Sequence, residues 1–191
     1  MIPSSKQKLY YAVITLASLV GFVASFLQML EKLTLMKNVD AVLVCNLNSV
    51  FSCTNILNAP QSSVFGFPNS LLCIIFFGFT LTAGLIGWTG GVITAKMRLV
   101  FQAMAVFFLG FGLWYFWESI FNVGSLCIYC LFCYLGVLFI NGAFHRLNYP
   151  DYTHNPAIQK LLEQIKTKGI DIFILSLIGL VIILEAIIKF L

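Results

Sequence analysis

Five long apolar runs alternate with short polar stretches along this chain. The first, Leu9 to Leu30, holds 22 residues without a charge, enough for a helix to cross about 30 Å of hydrocarbon. A polar start with Lys6 and Lys8 precedes it, and Glu31, Lys32, Lys37 and Asp40 follow it. No residue from Ala41 to Ala95 is charged, so turn chemistry has to place the next boundaries. Asn, Ser, Thr, Gln and Pro cluster between Asn46 and Asn69 and mark a loop. Gly66-Phe67-Pro68-Asn69-Ser70 then reads as a helix start, which puts the second span near 68–88. Thr89-Gly90-Gly91 turns the chain, and Lys96 and Arg98 lead into a third span, 99–117. Glu118 to Ser125 reads as a short connection, and the fourth span runs over 126–144. The most soluble stretch is His145 to Gly169. Within it Asn155 to Lys168 has the period of an amphipathic helix, with Ile158, Leu161, Leu162 and Ile165 on one side, suited to lying on a membrane surface. The fifth span is 172–188.

The pattern predicts an all-α integral membrane protein made of one domain, 1–191. The first run has no small-residue cleavage site after it and is too long for a signal h-region, so it is expected to stay as a helix. Composition agrees: 60% of residues are hydrophobic and 9% charged, far below the roughly 25% charged of soluble domains. No Arg/Lys cluster is interleaved with aromatics, which argues against a nucleic-acid partner. Charge placement sets an orientation. With five spans, one side collects Lys6, Lys8, Lys96, Arg98, Arg146, Lys160, Lys166 and Lys168, and the other only Lys32, Lys37 and Lys189. The side with more positive charge is expected in the cytoplasm. The loop after the first span and the start of the fourth then face outward, into the compartment where disulfides persist.

Four of the six cysteines fall at that outer face. Cys127 and Cys130 form a Cys-x-x-Cys pair at the mouth of the fourth span. Residues three apart share a helix face, so their sulfurs can bond or separate with little movement. Ser125 is a plausible N-cap, which would put Cys127 in the first turn, where the positive helix end favours a thiolate. Tyr134 falls on the same face. A redox pair with a phenol beside it, at the mouth of a membrane helix, suits electron transfer to a lipid-soluble acceptor. Cys45 and Cys53 make a second pair in the outer loop. Two such pairs compose a relay, in which a soluble thiol protein reduces the loop pair and the loop pair reduces the embedded one by exchange. The competing readings are a plain loop staple in a non-catalytic membrane protein, and a zinc site, whose usual spacing the loop pair does not match. Cys73 and Cys133 lie inside apolar runs and read as packing residues. Glu118 is the only charged group between Arg98 and His145 and reads first as a headgroup-zone residue, with quinone proton transfer as the alternative.

Cys45-(x7)-Cys53, then Phe65-Gly66-Phe67-Pro68-Asn69-Ser70, then Cys127-x-x-Cys130 with Tyr134 resembles the vitamin K epoxide reductase family over roughly residues 10–144. The resemblance implies a four-helix bundle around a quinone (ubiquinone, menaquinone or phylloquinone), partly capped by the outer loop, with the fifth helix outside the catalytic bundle. It implies that Cys127 and Cys130 are the active-site pair and Cys45 and Cys53 the shuttle pair. It further implies that Cys130 meets the quinone, with Asn69 and Tyr134 hydrogen-bonding the carbonyl oxygens. The implied activity is quinone-dependent oxidation of a thioredoxin-like partner, supporting disulfide formation, in a bacterial inner membrane with the site facing the periplasm. A disulfide oxidase of the DsbB kind shares the reaction, but places its CxxC pair in the first outer loop, the reverse of the order here.

Two departures from the family pattern stand out. Position 59, where the family often has serine, is Ala59, so that hydroxyl is absent or replaced by Asn58, Ser62 or Ser63. Many bacterial members carry a fused thioredoxin-like domain, whereas this sequence stops after its fifth span, so the expected partner is a separate DsbA-like protein.

Overall fold

A computed structural model describes residues 3–48, 50–152 and 156–169, together with positions 174, 177–181, 184 and 189. Most of the fifth apolar run therefore lies outside the described residues. Helix α1, Ser5–Lys37, is the longest. Ser4 caps it: its hydroxyl accepts from the Gln7 N–H at 3.4 Å, and Gln7 Oε1 accepts from the Ser4 N–H at 2.9 Å, a reciprocal capping box. The helix does not stop at Leu30, where the apolar run ends. It continues for about two turns past Leu30 and carries Glu31 and Lys32 up beside the outer loop.

That loop contains a short helix, α2 (Cys53–Asn58), and a 3-10 turn at Pro60–Ser63. Gly66 then takes a left-handed φ of 81°, open to glycine without strain. Pro68, with φ −57°, sets the chain for α3, Asn69–Trp88. Helix α4 spans Ala95–Trp117, with the Thr94 hydroxyl accepting from the Met97 N–H at its start. The short connection expected at 118–125 is instead mostly helical: Glu118–Val123 continues α4 as a π-helical turn. No breaker stands in that segment before Gly124, whose φ of 70° ends it, and Ile120 within it is fully buried. Helix α5 covers Ile128–Asn148 and α6 covers Pro156–Lys168. Pro156 sits at the first helical position, where its missing N–H costs nothing. Among the described residues, four helical segments are long and apolar enough to cross a membrane: Ser5–Lys37, Asn69–Trp88, Ala95–Val123 and Ile128–Asp151.

Helix α1 packs against both α3 and α5, and α4 packs on α5. Close approach depends on small residues, as expected where lipid supplies no hydrophobic drive between helices. The fully buried Phe77 of α3 occupies a notch on α1, where a Cβ at Gly21 would strike its ring at 2.3 Å. Polar bridges join the helices inside the bundle. Ser18 donates to Thr80 at 2.8 Å between α1 and α3, and Asn141 donates to the Ala105 carbonyl at 2.6 Å between α5 and α4. At the end remote from the loop, Arg98 pairs with Asp151 and donates to Asn148. Leu16, Val20, Val23, Val106, Leu135 and Phe139 point outward, as lipid-facing positions do. Ile178, of the last run, packs against the cluster formed by Phe116, Ile120, Leu126 and Tyr134.

Candidate redox site

The outer loop is fastened over the start of α5 by backbone and side-chain bonds. Phe51 and Leu126 form an isolated parallel bridge, with the Leu126 N–H donating to Val50 at 2.7 Å and the Ser52 N–H donating to Leu126 at 3.1 Å. Asn55 donates to the Ser125 hydroxyl at 2.9 Å. These bonds hold the N-terminus of α2, and so Cys53, directly above Cys127. The Cys53 and Cys127 sulfurs lie 3.4 Å apart. Cys45 and Cys53 are joined as a disulfide, while Cys127 and Cys130 are free thiols.

One expectation about this region needs correction. Ser125 is not the cap of α5. Its hydroxyl is taken by Asn55, and Cys127 itself, with extended φ −107° and ψ 123°, occupies the N-cap position. Cys127 therefore sits just ahead of the first turn, still at the positive end of the helix, and Cys130 lies in the first turn. Cys45 is 3% exposed, packed with Leu35, Leu43 and Leu57. Its neighbours Val44, 83% exposed, and Asn46 both face solvent, so the chain surfaces on either side of this buried cysteine.

Below Cys130 a mostly apolar cavity opens between α1, α3, α4 and α5. Its wall includes Cys130, Asn69, Tyr134, Phe111, Tyr115 and Phe116. Asn69 and Tyr134 come from different helices, and both are buried. Asn69 Nδ2 donates to the Gln61 carbonyl at 2.7 Å, which fixes the amide orientation. Its Oδ1, and the Tyr134 hydroxyl, make no hydrogen bond among the described residues. Buried polar groups are ordinarily paired. A phenol that can donate and an amide oxygen that can accept, in an apolar cavity floored by a thiol, fit a quinone: the phenol suits a carbonyl oxygen and the amide oxygen suits a quinol hydroxyl.

Sequence reasoning missed three residues of this site. Gln28 of α1, 7% exposed, donates from Nε2 to Cys130 Sγ at 3.1 Å and reaches Cys127 Sγ at 3.8 Å. Lys32 donates to the Leu57 carbonyl and, at 3.4 Å, to the Ser62 hydroxyl, which in turn donates to Leu57 at 2.7 Å. Gln61 donates from Nε2 to Glu118 at 2.9 Å, and Asn122 donates to the same carboxylate oxygen at 2.7 Å. Glu118 thus ties the loop to the end of α4. Of the three hydroxyl or amide side chains near Ala59, Ser62 is buried on the cavity wall, Ser63 is half-buried and Asn58 is exposed. The available signal was a lone amide in the first apolar run, since polar groups at membrane depth mark function more often than packing.

Comparison with known proteins adds one finding. The family model described as Vitamin K epoxide reductase family matches residues 12–141, a stretch that holds all four cysteines of the site, Asn69, Tyr134 and Gln28. No curated protein matches the chain closely enough to be informative.

Proposed function

The chain belongs to the vitamin K epoxide reductase family of membrane oxidoreductases, and we propose that it oxidises an extracytoplasmic thioredoxin-like protein and passes the electrons to a quinone. The observation that carries this reading is the line from the Cys45–Cys53 disulfide through the 3.4 Å contact of Cys53 with Cys127 to Cys130 on the cavity wall. Electrons would enter as the partner's thiolate attacks the loop disulfide and leaves Cys45 and Cys53 reduced. The Cys53 thiolate then attacks Cys127 of an oxidised Cys127–Cys130 pair, releasing Cys130 as thiolate. Cys45 closes on Cys53, re-forming the loop disulfide and freeing Cys127.

The quinone supplies the chemistry of accepting two electrons and two protons. The chain's own residues would hold and isolate it. Tyr134 donates a hydrogen bond to one oxygen, Asn69 holds the other end, and the aromatic walls keep water away. Gln28 offers its amide N–H groups to the sulfur of Cys130, favouring the thiolate that reacts. Lys32, at the cavity rim, fastens the cap. The charge asymmetry supports a loop outside the cytoplasm, which in a bacterium is the periplasmic side of the inner membrane. Residues 1–191 act as one membrane domain, with the bilayer as its solvent.

Purified protein in lipid nanodiscs, supplied with a reduced DsbA-like protein, is expected to reduce a short-chain ubiquinone or menaquinone in step with oxidation of the partner. Quinone reduction that persists after Cys127→Ser and Cys130→Ser would refute the route.

A further inference from the structure

Among the described residues, one charged side chain lines the cavity: Lys32. It follows Gln28 by four residues, so the two side chains share a face of α1, with Lys32 about 6 Å further along the axis. Its half-buried ammonium donates to the Leu57 carbonyl and the Ser62 hydroxyl, and both residues also line the cavity. Those acceptors are neutral. Among the described residues no carboxylate pairs with Lys32, and the adjacent Glu31 accepts from the Val44 N–H instead. A cation against an apolar cavity is costly without a counter-charge, and a neutral donor would fasten the cap as well. The ammonium also stands at the Asn69 end. Its partner Ser62 follows Gln61, whose carbonyl takes one of the two N–H groups of Asn69. The Asn69 atom left without a partner is Oδ1, an acceptor. The oxygens of an oxidised quinone are acceptors too. Tyr134 can donate to one of them. The other meets an amide with half its donors spent, and Lys32, which has three N–H groups and uses two, holds the charged donor on that side.

We propose that Lys32 is a catalytic residue of the quinone site: its ammonium donates to the quinone oxygen at the Asn69 end and offsets the negative charge that gathers there as electrons arrive. The inference rests on the quinone reading above. As the Cys127–Cys130 bond forms, the two thiols give up two electrons and two protons, and both ring oxygens end as hydroxyls, so no further reagent is consumed. Lys32 is the one full positive charge on the wall to meet that electron pair, and in a dry cavity a fixed charge acts with little screening. When the oxygen has become a hydroxyl it can donate to Asn69 Oδ1, and the ammonium has less to gain from it. Lys32 therefore favours the oxidised ligand, and Asn69 Oδ1 the reduced one.

The test reads binding rather than turnover. The full chain carries Cys127→Ser and Cys130→Ser, which block electron transfer, and is held in lipid nanodiscs under argon. Calorimetry gives the Kd of 2-methyl-1,4-naphthoquinone and of its quinol, with and without Lys32→Met. The substitution is expected to weaken the quinone roughly ten-fold or more, as loss of a charged hydrogen bond does, and the quinol by a markedly smaller factor. Equal weakening of both would make Lys32 a fastener of the cap and overturn the inference, and so would an unchanged quinone Kd. A second probe needs no variant. 2-Hydroxy-1,4-naphthoquinone is an anion at neutral pH, and the protein with Lys32 intact is expected to bind it more tightly than the neutral methyl compound. Tighter binding of the neutral compound would overturn the inference and leave the quinone reading standing. Binding of neither quinone nor quinol by the protein with Lys32 intact would overturn that reading, and the inference with it.

Discussion

Gln28 is the residue through which the proposed chemistry can be perturbed with least damage to the fold. Its amide donates to Cys130 at 3.1 Å from a site 7% exposed to solvent, so no water stands ready to replace it. Gln28→Met keeps nearly the same length and volume, so it leaves no cavity behind. What is lost is a donor to a sulfur that carries negative charge when it reacts. Hydrogen bonds to charged groups contribute about 1.5–3 kcal/mol. At about 1.4 kcal/mol per factor of ten, the thiolate population at Cys130 should fall roughly ten- to a hundred-fold. Cys127, at 3.8 Å, should be affected less. The assay is a single-turnover measurement: fully reduced protein is mixed with excess quinone and quinol formation is followed by stopped flow. The rate is expected to drop by that factor while the thermal melt and the Cys45–Cys53 disulfide stay as in the parent. A Gln28→Met protein that melts normally and reduces quinone at the parental rate would refute the reasoning, since the amide would then be a packing group.

Other perturbations address the remaining parts of the site. Tyr134→Phe and Asn69→Ala each remove one of the cavity's unpaired polar atoms, and each should weaken quinone turnover with the fold retained; a typical hydrogen bond contributes about 0.5–1.5 kcal/mol net, and unchanged kinetics in both would place the quinone elsewhere. Gly112→Ala puts a methyl 2.7 Å from the Tyr134 ring, so it should displace that ring and raise the quinone KM several-fold; an unaltered KM would mean that the ring position is immaterial. The Cys45→Ser, Cys130→Ser double variant should accumulate a Cys53–Cys127 bond detectable in the unreduced protein; a Cys45–Cys127 bond in Cys53→Ser, Cys130→Ser, with none in the first variant, would reverse the loop roles. A reporter fused after Leu191 is expected outside the cytoplasm, and a cytoplasmic reporter would remove one span from the topology.

How much of this was legible in the sequence depends on the kind of interaction. The spanning helices follow from apolar runs that average over many residues, so errors of a few positions do not erase them. The two cysteine pairs with Asn69 and Tyr134 stand out because each belongs to a motif of fixed spacing, and all six meet at one end of the bundle. Gln28 was hidden by the same averaging that revealed its helix: one amide hardly alters the hydropathy of a 22-residue run. The extra turns of α1 were hidden by Glu31 and Lys32, which end an apolar run without ending a helix. They are held by loop partners, Glu31 by the Val44 N–H at 3.3 Å and Lys32 by the Leu57 carbonyl, that no local pattern predicts. Ser125 has the chemistry of a cap, but Asn55, 70 residues away in sequence, claims its hydroxyl. The burial of Cys45 is likewise a tertiary fact, made by Leu35, Leu43 and Leu57.

That burial has a consequence for selectivity. Both sulfurs of the Cys45–Cys53 bond belong to residues 3% exposed or less, and thiol–disulfide exchange depends on access to the sulfur attacked. A small free thiol brings too little contact surface to pry the loop open. On the relay proposed above, a folded partner would have to draw on binding free energy, gained on exposed residues such as Val42, Val44 and Leu47, to lever Cys45 into reach. The loop would then act as a latch worked by surface area, insulating the stored oxidising power from the small-molecule thiol pool.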